Sequence, residues 1–236
     1  MKTKLLNTIA AASVVLLTIL ETASARAGTI TVVDLPATGT DAGSEITTNK
    51  HYVCAFNFGN NGTNSPSPTI NGVPFTHFTA INVATTDVTD ANFGGTVTLT
   101  VGGPAGTEVL KQGSSAGQGN LAGQADGGMF TLLTDMLYYA PGGNTGAWTK
   151  QDFGGLTIGD HYSLRIYYRY WGNTVGDRVQ NISFNGEGTQ QDYPANPLAE
   201  DAGGAHYIEY DFTATTTNVT CVMTNASNQP FLLYGA

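Results

Sequence analysis

Cationic and aromatic side chains occupy every second position of one segment of the chain, residues 162–171, and continue into the polar loop that follows. We call this set the cation–aromatic ladder; it consists of Arg165, Tyr167, Arg169, Trp171, Asp177 and Arg178. An aromatic ring offers a flat apolar surface to the C–H face of a sugar. Arginine and aspartate exchange hydrogen bonds with hydroxyl groups, and arginine pairs in bidentate fashion with uronate or sulfate. The ladder therefore predicts a binding surface for a glycan or a cell-surface polysaccharide.

A second interpretation of the ladder is purely structural. If a helix or a long loop covers this face, the arginines pair with internal carboxylates. Their stacking on tyrosine or tryptophan then contributes only to stability. The sequence leaves both interpretations open.

Catalytic and metal-binding patterns are weak in this chain. The four histidines lie far apart in sequence without metal-ligand spacing, and no nucleophile elbow or phosphate-binding loop occurs. Hydrolysis of a glycosidic bond needs two facing carboxyl groups, and nothing singles out a pair among Asp177, Glu187 and Glu209. The sequence thus favours a protein that is not an enzyme, with a glycoside-active enzyme as the weaker alternative.

No cofactor is predicted. The polar loop 190–204 carries Asp192, Glu200 and Asp201, whose oxygens suit Ca²⁺. They lack the spacing of an EF-hand, so a solvated acidic loop is the simpler interpretation.

Strands with alternating side chains must position the ladder. In segment 162–171 the residues between the ladder positions are apolar or aromatic and are expected to face a core. They are Leu164, Ile166, Tyr168 and Tyr170. A loop and a second strand, 179–184, follow, and Asn185-Gly186 closes that strand.

The rest of the chain shows the same strand-and-turn pattern, with 30 glycines and few charges. Further strands are predicted at 29–35, 51–58, 96–101, 206–213, 218–224 and 230–234, and a hairpin with an Asn71-Gly72 turn within 69–78. Residues 102–128 are predicted to be a connection. An apolar stripe at helical spacing over 129–139 predicts one short core helix. The fold class expected is an all-β, jelly-roll-type β-sandwich with one short helix.

The first 27 residues have the features of a cleaved export signal: basic Lys2 and Lys4, an apolar stretch, and a small-residue cleavage site. We therefore predict a secreted or periplasmic protein that is not embedded in a membrane. The remainder is predicted as one domain, with 28–50 leading into the sandwich at 51–236.

Charge argues against nucleic-acid binding. The chain has 9 basic and 18 acidic residues; removing the signal leaves 9 − 3 = 6 basic and 18 − 1 = 17 acidic residues, a net charge of −11. Proteins that bind phosphate backbones concentrate lysine and arginine instead.

The two cysteines, Cys54 and Cys221, lie near opposite ends of the predicted domain. In an exported protein such a pair is compatible with a disulfide. The alternative is two buried free thiols.

Several short motifs resemble exported bacterial β-sandwich proteins of the malectin-like and galactose-binding-like kind. They are Tyr52-x-x-Ala55-Phe56-Asn57-Phe58-Gly59, Thr69-Ile70-Asn71-Gly72-Val73-Pro74-Phe75, Gly155-Leu156-x-x-Gly159-x-x-Tyr162-x-Leu164-x-Ile166, Asp177-Arg178 and Phe184-Asn185-Gly186. The resemblance implies a jelly-roll fold and non-catalytic glycan binding, and it assigns no binding residue. A structural or adhesive cell-surface protein remains the alternative function.

Overall fold

A computed structural model of the protein describes residues 28–35, 41–59, 67–78, 82–114, 127–140, 145–169, 180–188, 191–192, 205–226 and 232–236. The first half contains β1 Thr29–Asp34, β2 Phe56–Asn57, β3 Thr69–Ile70, β4 Val73–Pro74, β5 Thr76–His77, β6 Thr85–Thr89, β7 Thr96–Gly102 and β8 Val109–Ser114. The second half contains α1 Gly127–Thr134, β9 Asp135–Ala140, β10 Trp148–Gly154, β11 His161–Arg169, β12 Gln180–Asn185, β13 Gln191–Asp192, β14 Ala205–Thr213, β15 Asn218–Asn225 and β16 Leu232–Leu233. A short 3-10 helix covers Asp41–Ser44. The expected signal segment lies outside the described residues.

The protein is an all-β sandwich with one short α-helix. One layer is a six-stranded sheet in the order β13-β12-β15-β10-β7-β6, and another has the order β1-β14-β11. In both sheets all described strand pairs are antiparallel. A small third sheet joins β16, β9 and β8.

The smaller layer extends beyond β11 through the segment that follows β16. Gly235 forms antiparallel bridges with Tyr167 of β11 on one side and with Asn57 of β2 on the other. Ala236 exchanges both backbone hydrogen bonds with Phe56, at 2.8 and 3.0 Å. This segment therefore stands between β11 and β2 as an additional strand would.

The core forms one continuous cluster of buried apolar side chains. Alternation accounts for it: in β7 and β15 every second side chain is buried. Three stacked rings belong to it, with the Tyr210 ring 4.8 Å from that of Phe184 and 4.8 Å from that of Phe212. Burial of this apolar surface is the main force that holds the layers together.

The hairpin predicted at Asn71-Gly72 is confirmed. Both turn residues have positive φ, 48° and 86°, as the tight turn between β3 and β4 requires. The Asn71 amide also donates to the carbonyls of Asp41 and Ile46, at 2.5 and 3.0 Å. The hairpin thereby holds the 3-10 helix against the sheet.

Asp41 connects the 3-10 helix to α1. Its carboxylate accepts the backbone N–H groups of Gly128 and Met129, at 3.2 and 2.9 Å. These are free donors at the first turn of the helix, so Asp41 caps a helix that begins 86 residues later in the chain.

Three predictions of secondary structure are wrong in part. The apolar stripe over 129–139 is helical only as far as Thr134, because from Asp135 the chain pairs with β8 and later with β16. The connection predicted at 102–128 contains the strand β8. In the predicted strand 51–58 only Phe56 and Asn57 are strand residues, since they alone pair with β5.

The disulfide considered for Cys54 and Cys221 is not formed; both cysteines are free thiols. Cys221 is fully buried in the six-stranded sheet, opposite Phe184 and Gln151. Cys54 precedes β2, whose backbone joins the other layer through Gly235. The alternative of two separate thiols is therefore the one that the structure has.

Among the described residues, no helix is long and apolar enough to span a bilayer.

Candidate binding cavity

Arg165 of the predicted ladder lies within a network of internal contacts. Its Nε donates to the Glu209 carboxylate on the neighbouring strand, and its NH2 group lies 3.3 Å from the Glu45 carboxylate. The guanidinium carbon is 4.3 Å from the centre of the Tyr207 ring, a cation–π contact. Only 15% of the side chain is exposed.

Tyr167, the next ladder residue, is buried with 2% exposure. Its ring lies 5.8 Å from the ring of Tyr207, and Gly235 pairs with its backbone. The prediction that this part of the ladder is an open surface is therefore wrong. For Arg165 and Tyr167 the structural interpretation holds: Ser44 and Glu45 pack on this face, and Gly235 pairs with the edge of the strand beside it.

The backbone of Arg169 pairs with Ala205 at the end of β11. Trp171, Asp177 and Arg178 lie outside the described residues.

Burial and charge set the ionisation of this network. Burial acts to lower the pKa of Arg165, but its interactions with Tyr167 and Glu209 outweigh this and raise the pKa overall. Burial raises the pKa of Tyr167, and it raises that of Tyr207 to about 12. The guanidinium is thus a permanent cation, and the two phenols are neutral at ordinary pH.

The described candidate carboxylates also have structural partners. Glu209 pairs with Arg165. Glu187 accepts the backbone N–H groups of Gly28 and Thr213, at 2.7 and 3.3 Å. Within the described ranges, no group of three or more His, Cys, Asp or Glu side chains could hold a metal ion.

A cavity of about 210 Å³ opens beside β11. Its walls come from the start of β11, from residues 50–55, from the end of β10 and from Phe212 and Val219. The cavity thus lies between the two layers. It is next to the edge of β11 that faces away from β14, where Gly235 pairs with Tyr167.

Aromatic rings form much of the cavity wall, and their positions are fixed. The Tyr52 hydroxyl donates to the Thr47 carbonyl at 2.9 Å, and its ring lies 5.4 Å from that of Phe93. The Tyr162 hydroxyl accepts the N–H of Thr157 at 2.9 Å. These contacts hold the rings in one orientation before any ligand arrives, which reduces the entropy cost of binding.

The backbone of β11 offers unpaired hydrogen-bonding groups to the cavity. Tyr167 donates its N–H to Gly235 at 2.8 Å, on the side of β11 that faces away from β14. In an antiparallel ladder, residues two apart face the same way, so Ser163 and Arg165 also direct their backbone groups outward. No other described residue pairs with these groups. Backbone N–H and C=O groups need hydrogen-bond partners, which at this partly exposed edge are water or a polar ligand, so the edge favours a polar occupant.

The cavity brings together residues that sequence reasoning treated as isolated. His51 and His161 are both exposed and both line it, although 110 positions separate them. The neighbouring residues Lys50, Tyr52, Tyr162 and Ser163 line it as well. No local signal marks them: the dipeptide His-Tyr occurs at 51–52 and 161–162 but also at 206–207, which does not line the cavity.

Cys54 also lines the cavity, but it is a poor nucleophile. Burial, together with the nearby Asp90 carboxylate, raises the pKa of its thiol to about 12. The reactive thiolate is therefore almost absent at neutral pH.

Comparison of the chain with models of protein families, with curated proteins and with solved structures finds no match.

Proposed function

We propose that this protein is an exported, non-catalytic β-sandwich module that binds a carbohydrate in the cavity beside β11. The observation that carries the proposal is the combination, around one small cavity, of fixed aromatic rings and a strand edge that is unpaired among the described residues. The resemblance of the sequence motifs to malectin-like and galactose-binding-like proteins points to the same function.

Sugars are amphipathic, and the cavity has both kinds of wall. The rings of Tyr52 and Tyr162 offer flat apolar faces for C–H groups. The outward backbone groups of Ser163 and Arg165 offer donors and acceptors for hydroxyls. The volume of about 210 Å³ is below the ~300–1,000 Å³ typical of sites for drug-sized ligands, and it suits a single sugar ring.

This proposal moves the binding site away from the cation–aromatic ladder. Arg165 and Tyr167 contribute to the cavity, but the side-chain charge of Arg165 is already paired with Glu209 and Glu45. Their role is to shape one end of the cavity. The rings that contact the sugar are those of Tyr52 and Tyr162.

A glycan-array screen of the purified protein and two variants tests the proposal. We expect the wild type to bind at least one class of glycan and Tyr52→Ala to lose that binding. Tyr138→Ala is the control, because Tyr138 is a half-buried tyrosine of β9 that does not line the cavity. Equal binding by Tyr52→Ala and the wild type, or no binding to any neutral or acidic glycan, would contradict the proposal.

The unpaired edge of β11 also favours a second candidate, an adhesive or structural surface protein. An extended strand of another protein could pair with Ser163 and Arg165 and continue the sheet, a common mode of protein association. This candidate predicts self-association that increases with protein concentration, measured by sedimentation velocity. It also predicts silence on the glycan array.

A further inference from the structure

The charges around the cavity differ from those of the whole protein. The chain has twice as many acidic as basic residues, 18 against 9. Yet none of the described side chains that line the cavity is acidic, whereas four of them have basic nitrogen groups: Lys50, Arg165, His51 and His161. An excess of cationic and ionisable nitrogen groups at one cavity of an acidic protein suggests an anionic ligand.

Among these groups, Lys50 has the charge that is available to a ligand. Arg165 is balanced by Glu209 and Glu45, so it has little net charge to offer. Lys50 is exposed at the cavity mouth, and it makes no ion pair with any residue in the described part of the chain. Its ammonium group can therefore pair with an incoming carboxylate without first breaking an existing contact.

We infer that the cavity prefers acidic sugars, with a carboxylate of the ligand paired to Lys50 and the sugar ring against Tyr52 and Tyr162. The inference rests on the proposed carbohydrate-binding function and adds the chemical class of the ligand. The ammonium and the two histidine rings lie at the mouth, where the carboxylate stays partly solvated. The ring enters the apolar part of the cavity, beside Phe153 and Phe212.

Matched pairs of oligosaccharides test this directly. Titration calorimetry of the protein with an oligouronate and with its carboxyl-reduced, neutral counterpart isolates the carboxylate. We expect the oligouronate to bind about two- to fivefold more tightly, the effect of one solvent-exposed ion pair, and we expect added salt to weaken it. Equal affinity, or tighter binding of the neutral form, would overturn the inference.

Two lysine variants show whether Lys50 supplies the preference. Lys50→Gln should remove most of that difference in affinity by weakening the binding of the oligouronate. Lys150→Gln makes the same change of charge on β10, outside the cavity, and should keep the difference. If both variants keep it, the assignment to Lys50 is wrong. If neither saccharide binds the wild type and the array is silent, the proposed function itself fails; binding of neutral sugars alone overturns only the inference.

Discussion

At the scale of single residues, Arg165 shows how one sequence pattern supports two opposite roles. Alternation placed it correctly on the face of β11 opposite Leu164 and Ile166, but alternation gives no information about what packs on that face. Two residues enclose this part of β11, Glu45 on its face and Gly235 at its edge, and both are distant in sequence. Their approach depends on tertiary structure, so the sequence alone left both roles open.

Breaking the Arg165–Glu209 pair should destabilise the fold. Arg165→Leu leaves the mostly buried Glu209 carboxylate without its main partner, so we expect a loss of about 2–4 kcal/mol in the free energy of unfolding. The double variant Arg165→Leu/Glu209→Leu should lose less, because no charge is left unpaired. Chemical denaturation measures both.

The control for this prediction is the pair of Lys150 and Asp152, 2.6 Å apart, in which the lysine side chain is 45% exposed. Lys150→Gln should change the free energy of unfolding by less than about 1 kcal/mol, as is usual for surface ion pairs. A loss in Arg165→Leu as small as that in Lys150→Gln would show that the Arg165 network is not structural.

The two cysteines should behave as unreactive free thiols. With the pKa of Cys54 raised to about 12, only about 1 in 10,000 of its thiols is ionised at pH 8, and Cys221 is fully buried. We expect iodoacetamide to leave the native protein unmodified and to alkylate both cysteines in guanidinium chloride without a reductant. Mass spectrometry distinguishes these states, and alkylation only after reduction would reveal a disulfide.

At the scale of elements, the sequence predicted strands well where both partners follow a simple alternation. β7, β14 and β15 lie within one or two residues of their predicted bounds, and the Asn71-Gly72 turn is as predicted. The prediction failed at 129–139, where the helical spacing of Leu133 and Leu137 continues into a strand. Pairing with β8 and β16 overrides the local pattern there, and no window of sequence contains those partners.

The junction between residue 59 and the start of β9 allows no side chain at Gly59. A Cβ at this position would lie 1.8 Å from the backbone nitrogen of Met136 and 2.0 Å from the carbonyl carbon of Asp135. Backbone atoms cannot move aside as a flexible side chain can. Gly59→Ala should therefore lower the free energy of unfolding by more than about 3 kcal/mol, or prevent folding.

Gly106→Asn provides the comparison. Gly106 has a φ of 66°, which asparagine tolerates, and a Cβ there would meet no atom within 4 Å. We expect a thermal midpoint close to that of the wild type. A Gly59→Ala protein as stable as Gly106→Asn would show that residue 59 and β9 do not pack this closely.

At the scale of the whole molecule, the sandwich class was predictable and the binding site was not. Glycine-rich turns between alternating segments are sufficient to indicate an all-β sandwich, which is confirmed, whereas the jelly-roll topology stays a prediction. The cavity depends on two segments about 110 residues apart that meet beside β11, and on a strand edge with which, beyond Gly235, no described residue pairs. Neither property has a local pattern, so His51 and His161 gave no sign of a shared site.

The central claim is that the cavity beside β11 is the binding site. Amide chemical shifts of the isotope-labelled protein, recorded while an oligouronate is added, test it most directly, with neutral and carboxyl-reduced oligosaccharides added in parallel. We predict that the largest shifts occur at the backbone N–H groups of Ser163 and Arg165 and at residues 50–54, while the six-stranded sheet away from the cavity is unaffected. Shifts confined to other surfaces, or no shifts with any of these saccharides, would contradict the claim.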